Sequence, residues 1–304
     1  MTAAVPARAT DVALCDRVSV LIGESNGKYP DGNSMFVAGT DGSLIIDPSL
    51  TVHRRDLIPG AIDRVLVSHA HEDHMSGIGA VGAPHVHVHH DDLAGVQSMD
   101  GLMTVYGLPA ADEPAWREAV ASSFHFTGWP DACGFADGEV FDLGGTRVQV
   151  MHLPGHTRGH SAFVVEPHGV AFVGDIDLSS FGPYYGDHWS DLDDFVASIA
   201  RVRDLDACHY VTFHHKGIVD DRAEFVRLLD SFESVISQRD DRLLELLATP
   251  HSLADLVAVG IVYRPGTRPP MFGDSVEERT IAMHLRRLVE ADAVMQSDTV
   301  YQLT

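Results

Sequence analysis

Cysteine is scarce: Cys15, Cys133 and Cys208 are the only three in 304 residues, and no two of them stand in a C-x-x-C spacing. That excludes a disulfide framework and a thiolate zinc knot, and it suits a reducing cytosol. Basic side chains are also short, 21 against 44 acidic ones, for a net charge of −23. Such an excess repels polyanions, so long nucleic acid and anionic membrane surfaces are poor partners. No stretch approaches the roughly 20 apolar residues of a membrane span. Met1 to Arg17 lacks an apolar run followed by small cleavage residues, so no secretory leader is read there and a cytoplasmic location is expected. What is present is the composition of a folded chain, 45% hydrophobic and 21% charged. The length predicts one principal domain plus an appendage.

Short β-type runs fill the first half: Val18–Ile22, Ser34–Ala38, Ser43–Ile46, Arg64–Ser68 and Pro84–His89, separated by turn residues such as Pro30-Asp31-Gly32-Asn33. In the last of these, His85, His87 and His89 alternate onto one face and read as packing or surface histidines. From Ser98 to Asp137 strand character is lost; Glu113–Ser123 predicts a helix, with Phe124, Phe126 and Trp129 close behind. This segment reads as a cap over a site. Strands resume at Val140–Leu143, Arg147–His152, Ser161–Val165 and Val170–Val173, and helical spacing follows at Asp191–Val202 and Arg222–Leu247. Beyond Thr249-Pro250, a helix at Val276–Glu290 and a hairpin around Ser297-Asp298 predict a winged-helix-like appendage.

Histidine is the abundant oddity, 19 in all. Four potential ligands crowd into Ser68-His69-Ala70-His71-Glu72-Asp73-His74, directly after an apolar strand ending at Val67. A loop there can aim several side chains at one point. One loop cannot supply a dinuclear site, and further donors stand at the ends of later strands: His156 in Leu153-Pro154-Gly155-His156-Thr157, Asp175 in Val173-Gly174-Asp175, and the pair His214-His215 before Lys216-Gly217. Neutral imidazoles with one or two carboxylates leave much of a dication's charge uncancelled, which acidifies a bound water. No serine or cysteine nucleophile is then required.

Between Val18 and Asp230 these ordered motifs resemble the metallo-β-lactamase-fold hydrolases. The resemblance implies an α/β architecture, an αββα four-layer sandwich over residues 1–235 with the cap at about 98–137, followed by a helical, winged-helix-like segment at 236–304. It further implies two metal ions, His69, His71 and His156 on one, Asp73, His74 and His215 on the other, and Asp175 between them, with a bridging hydroxide as nucleophile. His214 competes with His215; the family's closing motif sets its histidine just before a Gly-bearing turn, which points to His215. Zinc is the expected metal, and iron or manganese also suits the nitrogen and oxygen set. Asp73 would take the proton released during attack. Asp47 matches a position that orients a ligand through a hydrogen bond, and His160 one that is structural. Tyr185, in Phe181-Gly182-Pro183-Tyr184-Tyr185-Gly186, lies where the family often carries a substrate-facing aromatic. Pro183 stands where glyoxalase II-like thioesterases bring a lysine toward glutathione, which counts against glutathione.

Thioester or lactone hydrolysis is the expected activity, with Phe124, Phe126, Trp129 and Tyr185 as the pocket for a small-molecule acyl substrate. A phosphodiesterase or endoribonuclease of the same fold is the second reading, a secreted β-lactamase a third, and a non-catalytic nucleic-acid-binding regulator the reading of another class. The tail has Arg279, Arg286 and Arg287 but also Glu277, Glu278, Glu290 and Asp292, without the basic face of a DNA-reading helix. It reads instead as packing structure or as the contact of a homodimer.

Overall fold

Alternation of apolar residues builds two sheets whose inner faces meet. In a computed structural model that describes residues 11–55, 62–82 and 85–304, the first sheet runs in chain order: β1 (Asp11–Cys15), β2 (Val18–Leu21), β3 (Ser34–Ala38), β4 (Ser43–Ile46), β5 (Arg64–Leu66), β6 (His85–His89) and β7 (Cys133–Phe135). Pairing is antiparallel from β1 to β4 and parallel from β4 to β7. Its helices are α1 (Leu50–His53), α2 (Glu72–Met75), α3 (Ile78–Val81), α4 (Leu93–Gln97), α5 (Met99–Tyr106) and α6 (Glu113–Ser123). The second sheet holds β8 (Val140–Asp142), β9 (Arg147–His152), β10 (Ser161–Glu166), β11 (Val170–Phe172), β12 (His209–Val211) and β13 (Ile218–Val219), in the order β13-β12-β11-β10-β9-β8. It is backed by α7 (Leu192–Arg203) and the long α8 (Arg222–Leu246). Pro84 and Met1–Thr10, which belong to the expected strand and the leader reading, lie outside the described residues.

Period-two alternation assigns each side chain to a layer. Val18, Val20, Met35, Val37, Leu44 and Ile46 point inward to meet Val148, Val150, Phe163, Val165 and Phe172 of the second sheet. Phe36, Ile45 and Val65, one residue out of phase, instead pack beneath the helices of the first layer with Met75, Leu102 and Val120. On the opposite side, Ala162 and Ala171 meet Phe195, Ile199, Phe225 and Phe232. The result is a four-layer αββα sandwich. Local sequence supports it: in α7 the Asp191 carboxylate accepts from the backbone N–H of Asp193 and Asp194, while Arg201 and Arg203 sit at the dipole's negative end.

Two expectations change. The cap is not strand-free, because Cys133–Phe135 pairs with β6 as the last strand of the first sheet; a three-residue strand containing Gly134 has too little pattern to be legible. The division at 235/236 falls inside α8, which runs unbroken for 25 residues. Its Phe225, Leu229, Phe232 and Ile236 belong to the sandwich core, whereas Leu243 belongs to the tail core with Leu256, Ile281 and Leu285. The tail continues with β14 (His251–Ser252), α9 (Leu253–Val259), α10 (Gly273–Glu290), β15 (Val294–Ser297) and β16 (Val300–Leu303), the strands forming a three-stranded sheet. Among the described residues no helix is long and apolar enough to cross a membrane.

Candidate metal centre

Four chain reversals bring the dense His/Asp loops together. The first follows β5 and turns into α2, the second joins β9 to β10, and the third and fourth follow β11 and β12, two parallel neighbours that end side by side. Gly174 makes the third turn, with φ +55 and so little room that a Cβ would lie 2.6 Å from the His160 ring nitrogen. Only glycine combines that backbone with that approach.

Two groups of donors result: His69, His71, His156 and Asp175, and Asp73, His74 and His214. In the first, His69 Nε2 lies 3.0 Å from His71 Nδ1 and 3.1 Å from His156 Nε2, and His71 Nδ1 is 3.1 Å from His156 Nε2. In the second, His214 Nε2 stands 3.0 Å from Asp73 Oδ2. Asp175 lies between the groups, with Oδ1 3.2 Å from His74 Nε2 and Oδ2 3.3 Å from His156 Nε2. Both His74 Nε2 and Asp175 Oδ1 are buried and lack a hydrogen bond of regular geometry. Buried orphans of this kind cost about 1–3 kcal/mol each, and a coordinated cation satisfies them. Each group therefore has the donors to hold a metal ion.

The nitrogens that face away from these foci are occupied, which fixes the rings. His69 Nδ1 meets the Ser68 hydroxyl at 3.0 Å, His74 Nδ1 meets Asp47 Oδ2 at 2.7 Å, His156 Nδ1 meets the Tyr184 carbonyl at 2.8 Å and His214 Nδ1 meets the Gly27 carbonyl at 2.7 Å. His71 Nε2 is the exception, 3.0 Å from Asp187 Oδ2 but without a hydrogen bond of regular geometry. Asp47 also accepts from the Ser68 N–H and hydroxyl, so one carboxylate holds both the loop and the ring. His160 Nε2 accepts the Asp175 N–H at 3.1 Å while its Nδ1 binds the Leu153 carbonyl.

The charges are balanced within this cluster. Burial, reinforced by the neighbouring imidazoles of His74, His156 and His71, drives the His69 pKa well below its ordinary value. Burial also opposes the charged form of His74, but Asp175, Asp47 and Asp73 outweigh it and raise the pKa well above the usual range. For His214, burial is overcome by Asp175 and Asp73, which hold the pKa at about 9. Burial would push Asp175 up; His74 and His214 instead hold it well down. The carboxylates thus demand positive charge at the second group.

His214, not His215, joins that group. His215 adopts φ +58 in the turn and is the residue thrown outward, its side chain 40% exposed and 3.6 Å from Asp177. Tyr185 is likewise displaced from its expected role: it is 1% exposed, and its hydroxyl pairs with His284 Nε2 of α10 at 2.9 Å. Its neighbour Tyr184 faces the site instead.

Above the donors opens a cavity of about 390 Å³. The walls are aromatic, with Tyr106 and Trp116 from the cap and Tyr263 and Phe272 from the tail. Phe124, Phe126 and Trp129 do not line it. Phe124 packs against Trp116 and Phe126 against Trp129, inside the first helical layer, because these residues follow α6 and turn back toward the sheet. Asp187, Glu72 and Tyr29 line the cavity as well. Glu72 holds the hydroxyls of Tyr29, at 3.0 Å, and Tyr106. No motif in the sequence marks Asp187 or these tyrosines; only the fold brings them in.

Comparison with known proteins agrees with this architecture. The human acyl-coenzyme A thioesterase MBLAC2 is 28% identical over 205 residues, covering 58% of this chain and 70% of its own. The atrochrysone carboxyl ACP thioesterase of Claviceps purpurea (strain 20.1) is 26% identical over 198 residues, 62% of this chain and 53% of its own. This chain spans 50% of the bovine counterpart of the human protein. A crystal structure of a metallo-beta-lactamase family protein from Thermus thermophilus, 22% identical, superposes with a TM-score of 0.71 over 96% of this chain and 100% of that one. Residues 29–214, which hold every donor of the two groups, match the sequence model of the Metallo-beta-lactamase superfamily, and the chain belongs to that superfamily.

Proposed function

We propose that the chain is a metal-dependent hydrolase that cleaves an acyl thioester, or a related lactone or ester, at two ions held by His69, His71 and His156, by Asp73, His74 and His214, and by Asp175 between them. The observation that carries this reading is the convergence of both donor groups beneath an aromatic-walled cavity. Divalent ions there would acidify a water toward neutral pH and withdraw charge from the substrate carbonyl. Zinc suits the donors, as iron and manganese do.

The chain's own groups perform the rest. Asp175 presents one oxygen to each donor group and sets their spacing. Asp73, buried with Oδ2 toward His214, is placed to accept the proton that attack releases. Tyr106, Trp116, Tyr263 and Phe272 exclude water from the acyl group and orient it. The names of the thioesterase relatives support a thioester substrate. The tail disfavours the nucleic-acid reading: Arg279 donates to the carbonyls of Tyr106, Gly107 and Gly186, and Arg286 and Arg287 pair with Asp193. Cations consumed internally do not read phosphates.

The purified protein is expected to carry two metal ions per chain, to lose activity on chelation and to regain it with zinc, iron or manganese. It is expected to cleave thioesters or lactones ahead of phosphodiesters and RNA. Activity on phosphodiesters or RNA alone would overturn the substrate; activity that survives complete metal removal would overturn the mechanism.

A further inference from the structure

The chain contains only two lysines, Lys28 and Lys216, 188 positions apart in sequence. The fold brings their two loops together at the edge of the cavity. Asn26 Nδ2 donates to the His215 carbonyl at 2.6 Å, His214 Nδ1 to the Gly27 carbonyl at 2.7 Å, and the Asn33 N–H to the Phe213 carbonyl at 2.8 Å. Lys28 precedes Tyr29, which lines the cavity yet is 48% exposed and therefore stands at its mouth. Lys216 follows His214, another lining residue, by two positions, a reach of at most about 7 Å along the chain.

Both lysines are exposed. Among the described residues neither forms an ion pair within 4.0 Å, whereas Arg54 pairs with Glu24 of the same loop and Arg227 takes up Glu224, the carboxylate near Lys216. The two ammonium groups are thus left to solvent in a chain of net charge −23. Inside, Glu72, Asp177 and Asp187 line the cavity beside the donor groups, and among the described residues no lysine or arginine does. A phosphate that does not reach the donor groups therefore meets no lysine or arginine along the lining and finds these two at the mouth.

We infer that Lys28 and Lys216 form an anion-binding rim for the phosphate-bearing end of a pantetheine thiol carrier such as coenzyme A, while the acyl chain and thioester occupy the aromatic cavity. This rests on the thioesterase reading and assigns its leaving group. Exposed lysines bind phosphate as point charges, each contact contributing modestly, so two together are worth about tenfold in affinity.

The test pairs binding with turnover. Calorimetry compares free coenzyme A with phosphate-free pantetheine on the intact protein, and kinetics compares a coenzyme A thioester with the N-acetylcysteamine thioester of the same acyl group. Coenzyme A is expected to bind about tenfold more tightly than pantetheine. The double variant Lys28→Gln/Lys216→Gln is expected to erase that margin and to lower the ratio of kcat/KM between the two thioesters about tenfold, through KM. Lys28→Arg/Lys216→Arg, which keeps the charge, is expected to retain both. Equal binding of coenzyme A and pantetheine by the wild type, or an unmoved ratio in the glutamine variant, would overturn the rim whether or not thioesters are substrates. Hydrolysis of neither thioester alongside preferential coenzyme A binding would overturn the thioesterase reading and leave the rim standing.

Discussion

Asp73→Ala is expected to lower turnover by about a thousandfold or more at saturating metal, within the range that positioned acid–base groups supply. The carboxylate is buried, with Oδ2 3.0 Å from His214 Nε2 and Oδ1 3.9 Å from His74 Nε2, so no solvent group replaces it as proton acceptor. Losing a ligand also weakens metal binding, and the comparison must therefore be made with bound metal verified. A wild-type rate under that condition would exclude Asp73 from the chemistry. The companion pair sharpens the result. His214→Ala is expected to lose metal and activity, whereas the outward-facing His215→Ala should keep both; the reverse pattern would contradict the assignment of the fourth loop.

The second large effect concerns the cavity walls. Burying a large apolar side chain is worth about 1.5–3 kcal/mol, so Trp116→Ala and Phe272→Ala are each expected to raise KM for a long apolar acyl substrate roughly ten- to hundredfold. The rate at saturation should fall less, because neither residue is among the donors. Phe126→Ala tests the opposite side of the argument. Phe126 is 1% exposed within the core of the first helical layer, so its loss should cost about 3–5 kcal/mol of stability with KM unmoved. Steady-state kinetics beside denaturant unfolding separates the two outcomes. A raised KM in Phe126→Ala with none in Phe272→Ala would return substrate selection to the cap alone.

These contrasts show which parts of the molecule are legible in its residues. The sandwich is legible because alternation on strands such as Val18–Val20 and Val148–Val150 states which side chains face inward. The donor loops are legible because imidazoles and carboxylates this dense have few other uses. The choice between His214 and His215 is not, since it depends on one backbone dihedral, positive at His215, that no pattern of residue types encodes. Nor is the cavity. Trp116 faces it from within α6 while Phe124 and Phe126, only a few residues on, turn into the core, and helical phase at a chain reversal is a tertiary outcome. Tyr263 and Phe272 reach the site from a segment more than forty residues beyond the last donor loop. Their role arises from docking of the tail, partly through the Arg279 contacts with Tyr106 and Gly186.

The long helix α8 carries a consequence for how the molecule comes apart. It contributes Phe232 to the core of the sandwich and Leu243, eleven residues later, to the core of the tail, with no glycine or proline in between. A helix propagates far more readily than it nucleates, so melting one half deprives the other of its continuation. The two cores are therefore expected to melt as one cooperative unit, and scanning calorimetry of the metal-free protein should find one endotherm. Two resolved transitions would mean that the helix breaks in the middle. With one transition, the walls of the cavity and the groups beneath them are lost at the same temperature, and heat leaves no species that retains the donor loops without its selectivity.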